Sequence, residues 1–365
     1  MKALLELQKQ LLPDLLETMR KRYEILRHLQ LMQPVGRRSL ASALGTTERI
    51  LRGEVDFLRE QGLVRIESVG MRLSDAGNNL VSEMEPLIKD LFGLTELEKG
   101  LKKILGMRRV TVVPGDSDRS GWVKQEMGKA GARLLKQLAR PDQVVAVAGG
   151  TTVAAVADRM TAAPGLKETT FVPARGGLGE AVELEANYIA SLMARKSGGH
   201  YRLMHVPDQL SADAHETLVK EPHIQEMLQV VRSARIIVHG IGDAKTMATR
   251  RKSSSALLER LEQADAVGEA FGYYFNRNSE IVYRGRSIGL GLEDLEKADA
   301  IIAVAGGSSK AEAIAAICPA AGRDTLITDE GAARSILGRR IDTTMEDSPH
   351  SFSGGILNGK NQSRD

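Results

Sequence analysis

The sequence predicts an α/β chain made of an N-terminal winged helix-turn-helix and a C-terminal Rossmann-like, mostly parallel sheet. Three observations predict it. Helical apolar spacing fills roughly the first sixty positions and then gives way to two short runs of strand type. After Arg108 the rhythm changes to short apolar runs, each followed by glycine and a helical segment, the pattern of a parallel sheet covered on both faces. Two of those runs end in the same punctuation, a glycine pair followed by two hydroxyls.

At 365 residues the chain has room for about two domains, each with its own core. Hydrophobic residues at 42% and charged residues at 27% are ordinary for a soluble globular protein. The balance of 50 Lys+Arg against 47 Asp+Glu, net +3, does not argue for nucleic acid. The segment from Met19 to Arg72 does, because there basic residues outnumber acids. Cys318 is the only cysteine, which excludes an intrachain disulfide and a cysteine-built zinc cluster. No run approaches ~18 uninterrupted apolar residues, and Met1-Lys2-Ala3-Leu4-Leu5-Glu6 carries no export signal. A cytoplasmic chain without membrane contact is expected.

From Leu4 to Leu31 apolar residues such as Leu16, Met19, Tyr23, Leu26 and Leu29 predict one or two helices, ended by Pro34-Val35-Gly36. A short helix follows over Ser39 to Leu44. Gly45-Thr46-Thr47 then makes a tight turn whose threonines accept from the first amides of the next helix, and Glu48 suits its dipole. That helix, Glu48 to Gln61, should bury Ile50 or Leu51, Val55 and Leu58, and leave Arg49 and Arg52 near its exposed start. Leu63 to Ile66 and Met71 to Leu73, separated by Glu67-Ser68-Val69-Gly70, read as a β-hairpin. Helix, helix, turn, helix, hairpin is the order of a winged helix.

Between Asp75 and Gly106 the leucine-rich stripe Leu80, Met84, Leu87, Leu91, Leu94, Leu97, Leu101, Leu105 predicts a connecting helix kinked by Pro86 and Gly93, with a face able to pair with a second chain. The sheet strands are expected at 110–113, 144–148, 170–172, 203–206, 236–238, 301–305 and 325–327. The resulting domains are 1–74, DNA-binding; 75–106, connecting; 107–341, ligand-binding; and 342–365, a polar tail expected to be disordered.

A recognition helix sets its first residues on base edges, so Thr46, Thr47, Arg49 and Arg52 are the DNA candidates, with Arg37, Arg38 and Arg72 offered to phosphates. The competing reading is a helical module for protein binding with solvated charges. Gly149-Gly150-Thr151-Thr152 closes an apolar run; glycines let backbone approach an anion, and a helix N-terminus favours negative charge. The competing reading there is a plain tight turn. The loop is not a Walker loop and lacks G-x-G-x-x-G. Gly306-Gly307-Ser308-Ser309-Lys310 echoes it, and a parallel sheet brings both turns to its carboxyl edge, where phosphate-bearing ligands bind. Arg175 of Arg175-Gly176-Gly177 follows another expected strand on that edge. Arg250 adds a positive charge, unless Arg250-Arg251-Lys252 is a solvated run; Glu269 suits sugar hydroxyls, unless it is a surface carboxylate. His200, His205, His215, His223 and His239 show no ligand spacing, so no metal is expected. Trp122 is read as packing on a helix.

With the helix-turn-helix joined to Ala148-Gly149-Gly150-Thr151-Thr152, Ala174-Arg175-Gly176-Gly177-Leu178-Gly179 and Ala305-Gly306-Gly307-Ser308-Ser309-Lys310, the chain resembles the SorC family of bacterial sugar-responsive regulators from about Leu15 to Arg340. His205-Val206-Pro207 and Lys220-Glu221-Pro222-His223-Ile224 add to the likeness. The resemblance implies a repressor of a glycolytic operon, its grip on double-stranded operator DNA relaxed by fructose-1,6-bisphosphate or a related sugar phosphate, with no cofactor. It also implies an effector domain akin to sugar-phosphate isomerases that has lost the chemistry, and carries effector contact onto Thr151, Thr152, Arg175, Arg250, Glu269 and Lys310. A homo-oligomer, dimer or tetramer, is expected because two half-sites multiply affinity. An active sugar-phosphate isomerase or deaminase fits the phosphate turns equally well, but no acid and base pair stands near them. A protein-docking module leaves the winged helix and paired turns unexplained.

Overall fold

A computed structural model describes residues 11–179, 181–320 and 325–346. The N-terminal unit forms around helix Pro13–Met32, short helix Arg37–Ala43 and helix Glu48–Glu60. In the third of these, Leu51, Val55 and Leu58 fall on one face and are buried with Leu26, Leu29 and Leu40. Ile50 lies off that face, 46% exposed, so Leu51 is the core residue of the two candidates. Strands β1 (Val64–Glu67) and β2 (Gly70–Leu73) pair antiparallel as the wing, and Val35 bonds Met71 in both directions to brace it.

The expected connecting helix is two, Asp75–Leu91 and Leu94–Leu105, broken at Gly93 in the left-handed region (φ 69°), while Pro86 is carried inside the first. The leucine stripe is committed mainly to this chain: Leu91 joins the N-terminal core, and Leu94, Leu101 and Leu105 join the core of the large sheet. Leu87 alone among the eight is a large exposed apolar residue, at 50%.

The large sheet contains β3 (Arg109–Val113), β4 (Val144–Val147), β5 (Thr170–Pro173), β6 (His200–Tyr201), β7 (Ile236–His239), β12 (Ala300–Val304) and β13 (Thr325–Asp329). Its order is β3-β13-β12-β7-β4-β5-β6, all parallel. Alternate residues feed two cores, Val145 and Val147 on one face and Ala146 on the other, which is why the runs read as continuously apolar. β4 and β7 are neighbours, yet the chain leaves β4 toward β5 and β7 toward β12. That reversal opens a crevice at their carboxyl ends.

Two features depart from the expectation. Residues 203–206 are not a strand: Met204 and Val206 are buried, but the backbone of Met204 is held in both directions by the Asn187 side-chain amide. A second, antiparallel sheet of β8 (Gly242–Asp243), β9 (Ala266–Ala270), β10 (Tyr273–Asn276) and β11 (Ile281–Arg284), ordered β11-β10-β9-β8, goes unread in the sequence. Its strand β9 carries Gly268 because a Cβ there would stand 2.7 Å from Ile317 Cδ1 on the helix packed beneath. Helix Glu330–Glu346 runs past Asp342, where the tail was expected to begin; positions 347–365 of that tail, like Leu4 to Gln10, lie outside the described residues.

Candidate functional site

A cavity of about 130 Å³ occupies the crevice, between the turn after β4 and the segment after β7. Gly149, Gly150, Thr151 and Thr152 form one wall; Arg175, Gly176, Arg250, Glu269 and Lys310 complete the expected set, whereas Gly177, Ser308 and Ser309 lie outside the lining. Gly150 takes φ 115° with nothing within 4 Å of an added Cβ, so the turn needs glycine for its conformation and leaves its open side to the cavity. Thr151 begins an eight-residue helix, and no described group accepts from the amides of Thr151 and Thr152. Two N–H groups without an acceptor at the positive end of a helix dipole are donors of the kind an anion requires. The Thr152 hydroxyl is used structurally: it donates to Val304 O at 2.6 Å, tying the turn to β12.

On the opposite wall the arginine and carboxylate of the expected set are joined to two residues that sequence reasoning missed. Arg175 Nη2 meets Asp208 Oδ1 at 2.8 Å and its Nη1 lies 3.5 Å from Glu269 Oε1. Arg251 donates to Asp208 Oδ2 at 2.9 Å and to Glu269 Oε1 at 3.0 Å. Burial works against the Arg251 charge, but Glu269 and Asp208 outweigh it and raise its pKa. Arg175, Asp208 and Glu269 are buried and Arg251 is partly so, and two cations balance two carboxylates. Gly272 permits this, since a Cβ there would lie 2.4 Å from Arg175 Nη2. In the Arg250-Arg251-Lys252 run, therefore, Arg250 reaches the cavity and Arg251 locks its wall.

Lys310 donates to Ile241 O at 3.3 Å; burial first and the Lys124 charge next lower its pKa. His239 is fully buried beside Phe271, and its Nδ1 donates to Gly240 O. Burial pushes its pKa down to about 4, so the ring is neutral at physiological pH and presents Nε2 as an acceptor. Across the lining, Arg175, Arg250, Arg251 and Lys310 face Glu185, Asp208 and Glu269, a single excess positive charge. The lining thus offers an anion two open amides and little net charge.

The echoing turn is built differently. Gly307 N donates to Asp329 Oδ2 at 2.7 Å, Ser309 N to Asp118 Oδ2 at 2.7 Å and Ser308 N to Asp116 Oδ1 at 3.3 Å. Its glycines do admit anions, but those of this chain: a Cβ on Gly306 would stand 2.5 Å from Asp329 Oδ2, and one on Gly307 2.4 Å from Asp118 Oδ1. Among the described residues no cluster of His, Cys, Asp or Glu is placed to hold a metal ion.

In the N-terminal unit Thr47 caps helix Glu48–Glu60, accepting from Ile50 N at 3.3 Å, and Arg38, Arg49 and Arg52 are exposed with no described acceptor. Thr46 and Arg37 are half-buried, and Arg72 lies 3.4 Å from Glu67 across the wing. Lys21 and Arg22 are both paired to Glu54, on the side of the helix that faces its neighbour. Of these unneutralised arginines Arg49 and Arg52 lie at the start of the third helix, the end that enters a DNA groove in such folds, and Arg38 lies at the start of the second.

A sugar-binding domain family model matches residues 89–338, which contain the whole cavity, and a CggR N-terminal DNA binding domain model matches residues 18–88. The chain is 52% identical over 340 residues to the central glycolytic genes regulator of Priestia megaterium, covering 92% of this chain and 99% of that protein. The chain belongs to the SorC family of central glycolytic genes regulators. Its likeness to the Bacillus subtilis regulator of that name is 50% over 337 residues, with the same coverage. A crystal structure of a SorC family transcriptional regulator from Enterococcus faecalis superposes with a TM-score of 0.62 at 42% identity, covering 66% of this chain and 99% of that one. As a SorC-family member the chain is a DNA-binding transcriptional regulator with a sugar-binding domain, and not an enzyme. Among the described residues, no helix is long and apolar enough to cross a membrane.

Proposed function

We propose that this protein is a cytoplasmic repressor of a glycolytic operon, binding double-stranded operator DNA as a dimer or tetramer and released by fructose-1,6-bisphosphate. The observation that carries the reading is the pair of open amides, Thr151 N and Thr152 N, at a helix N-terminus that shares one crevice with Arg250 and Lys310. One phosphate fits the two amides and a second the Arg250 and Lys310 side, while Glu269 and the His239 Nε2 suit hydroxyls between them. Names of the relatives, regulators of central glycolytic genes, support a phosphorylated sugar of that route. The proposed units are 1–74 for DNA, 75–106 as connector and 107–341 for the effector; Arg38, Arg49, Arg52 and Thr47 meet DNA.

Release requires that the sugar bind the DNA-weak arrangement better than the DNA-competent one. An operator titration at fixed salt tests this: fructose-1,6-bisphosphate should weaken binding at least tenfold, and an affinity indifferent to it refutes the switch. In the same assay Arg49→Ala and Arg52→Ala should each weaken the operator by ~1–3 kcal/mol without changing affinity for the sugar.

A further inference from the structure

The loop 114–120 stands between the occupied turn and the DNA-binding unit. On one side Asp118 Oδ2 accepts from Ser309 N at 2.7 Å and from Ser308 Oγ at 3.3 Å, and Asp116 Oδ1 accepts from Ser308 N at 3.3 Å. Burial raises the Asp118 carboxyl, but the Ser309 amide, the two serine hydroxyls and Lys310 together hold it below the usual carboxylate value. On the other side the loop feeds directly into helix Gly121–Leu138. The first turn of that helix carries Trp122, whose ring centroid lies 4.4 Å from that of His28. Further along, Glu126 pairs with Arg27, and Lys129 donates to Gln30 at 2.6 Å. His28, Arg27 and Gln30 all belong to helix Pro13–Met32, the first helix of the DNA-binding unit.

The Ser309 amide and the Ser308 hydroxyl converge on the Asp118 carboxylate and the Ser308 amide turns to Asp116, so donors of the kind a phosphate needs are filled here by side-chain carboxylates. Lys310 reaches from this turn into the cavity, so a phosphate drawn to Lys310 arrives within the field of Asp118. A dianion with three oxygens and a monoanion with two cannot share those donors, and their like charges oppose each other. We propose that Asp118 is an internal stand-in for one effector phosphate: bound to the Ser308-Ser309 donors in the ligand-free chain, expelled when the phosphate takes its place, and thereby shifting Trp122 against His28. The inference rests on the cavity being the phosphate site proposed above. Exchange of one anion for another is then the physical event that links ligand to DNA.

Trp122 is the only tryptophan, so its emission reports the junction alone. The experiment compares full-length wild type with Asp118→Asn and Asp118→Ala, both at an exposed loop position, by calorimetric titration with fructose-1,6-bisphosphate, tryptophan emission and operator affinity. With the competitor gone, both variants should bind the bisphosphate about tenfold more tightly. Without ligand they should emit like ligand-loaded wild type and hold the operator more weakly. Variants that match wild type in all three readings, or bind the bisphosphate less tightly while melting at the wild-type temperature, overturn the inference alone. A wild type that binds no bisphosphate overturns the effector reading and this inference with it.

Discussion

The turns after β4 and β12 share a sequence pattern and differ in what occupies them. The first turn leaves the amides of Thr151 and Thr152 open to a cavity, with Gly150 N donating to Leu184 O at 2.9 Å, whereas Gly306-Gly307-Ser308-Ser309 has three amides satisfied by Asp116, Asp118 and Asp329. A glycine pair before hydroxyls thus specifies that backbone can approach an anion. It does not specify whether the anion is a ligand or a residue 190 positions away.

The strongest way to break the comparison is to remove the carboxylate that has no counterpart at the first turn. Asp329, 0% exposed, accepts from Ser117 N, Gly307 N and Ala332 N. Each buried donor left unsatisfied costs about 1–3 kcal/mol, so Asp329→Ala should lose roughly 3 kcal/mol or more in denaturant unfolding. A loss under ~1 kcal/mol means water replaces the carboxylate and the second turn is as open as the first.

Acid should act next, through the first turn's neighbour His239. Its folded pKa of about 4 lies below the 6.5 of an exposed imidazole. The unfolded chain therefore takes up a proton first as pH falls, and stability is lost between pH 6.5 and 4. At about 1.4 kcal/mol per pH unit the full loss is about 3 kcal/mol, and His239→Gln should not show it. Parallel pH–stability curves for the two proteins would place the burial penalty elsewhere.

The smallest effect sharpens the contrast at the hydroxyls. Thr151→Ala should weaken fructose-1,6-bisphosphate about tenfold by calorimetry, about 1.4 kcal/mol, through one lost hydrogen bond to a charged group. Ser309→Ala keeps the amide and removes a hydroxyl from Asp118 and an incoming phosphate alike, so the two losses offset and affinity should change by no more than about twofold. Equal losses would erase the distinction between the turns.

What the sequence made legible follows from how local each signal is. Leu51, Val55 and Leu58 announce their helix because one face suffices, and β3, β4, β5, β7, β12 and β13 are visible because both faces of the sheet are buried. The antiparallel sheet is hidden because β9 holds Gly268 and Glu269 for reasons that lie in other elements, a helix beneath and two arginines opposite. Residues 203–206 mislead for the converse reason: they are apolar for the core while a side-chain amide satisfies their backbone. In the site, Thr151, Arg175, Arg250, Glu269 and Lys310 come together, but Arg251 looks no different from its neighbours in the chain, and nothing near Ser308 announces Asp118.

Gly93 separates two helices rooted in different cores, one beside the wing and one beneath the large sheet, and its missing side chain faces open space. The glycine itself defends no packing, but its surroundings do: Phe92 packs against both cores, and Lys89 donates to Glu98 at 2.9 Å and Thr95 to Asp90 at 2.7 Å across the break. A change of angle between the halves has to disturb these contacts together with the ion pair and stacked rings of the junction. The bend is a braced corner, and what happens at one end of it is felt at the other.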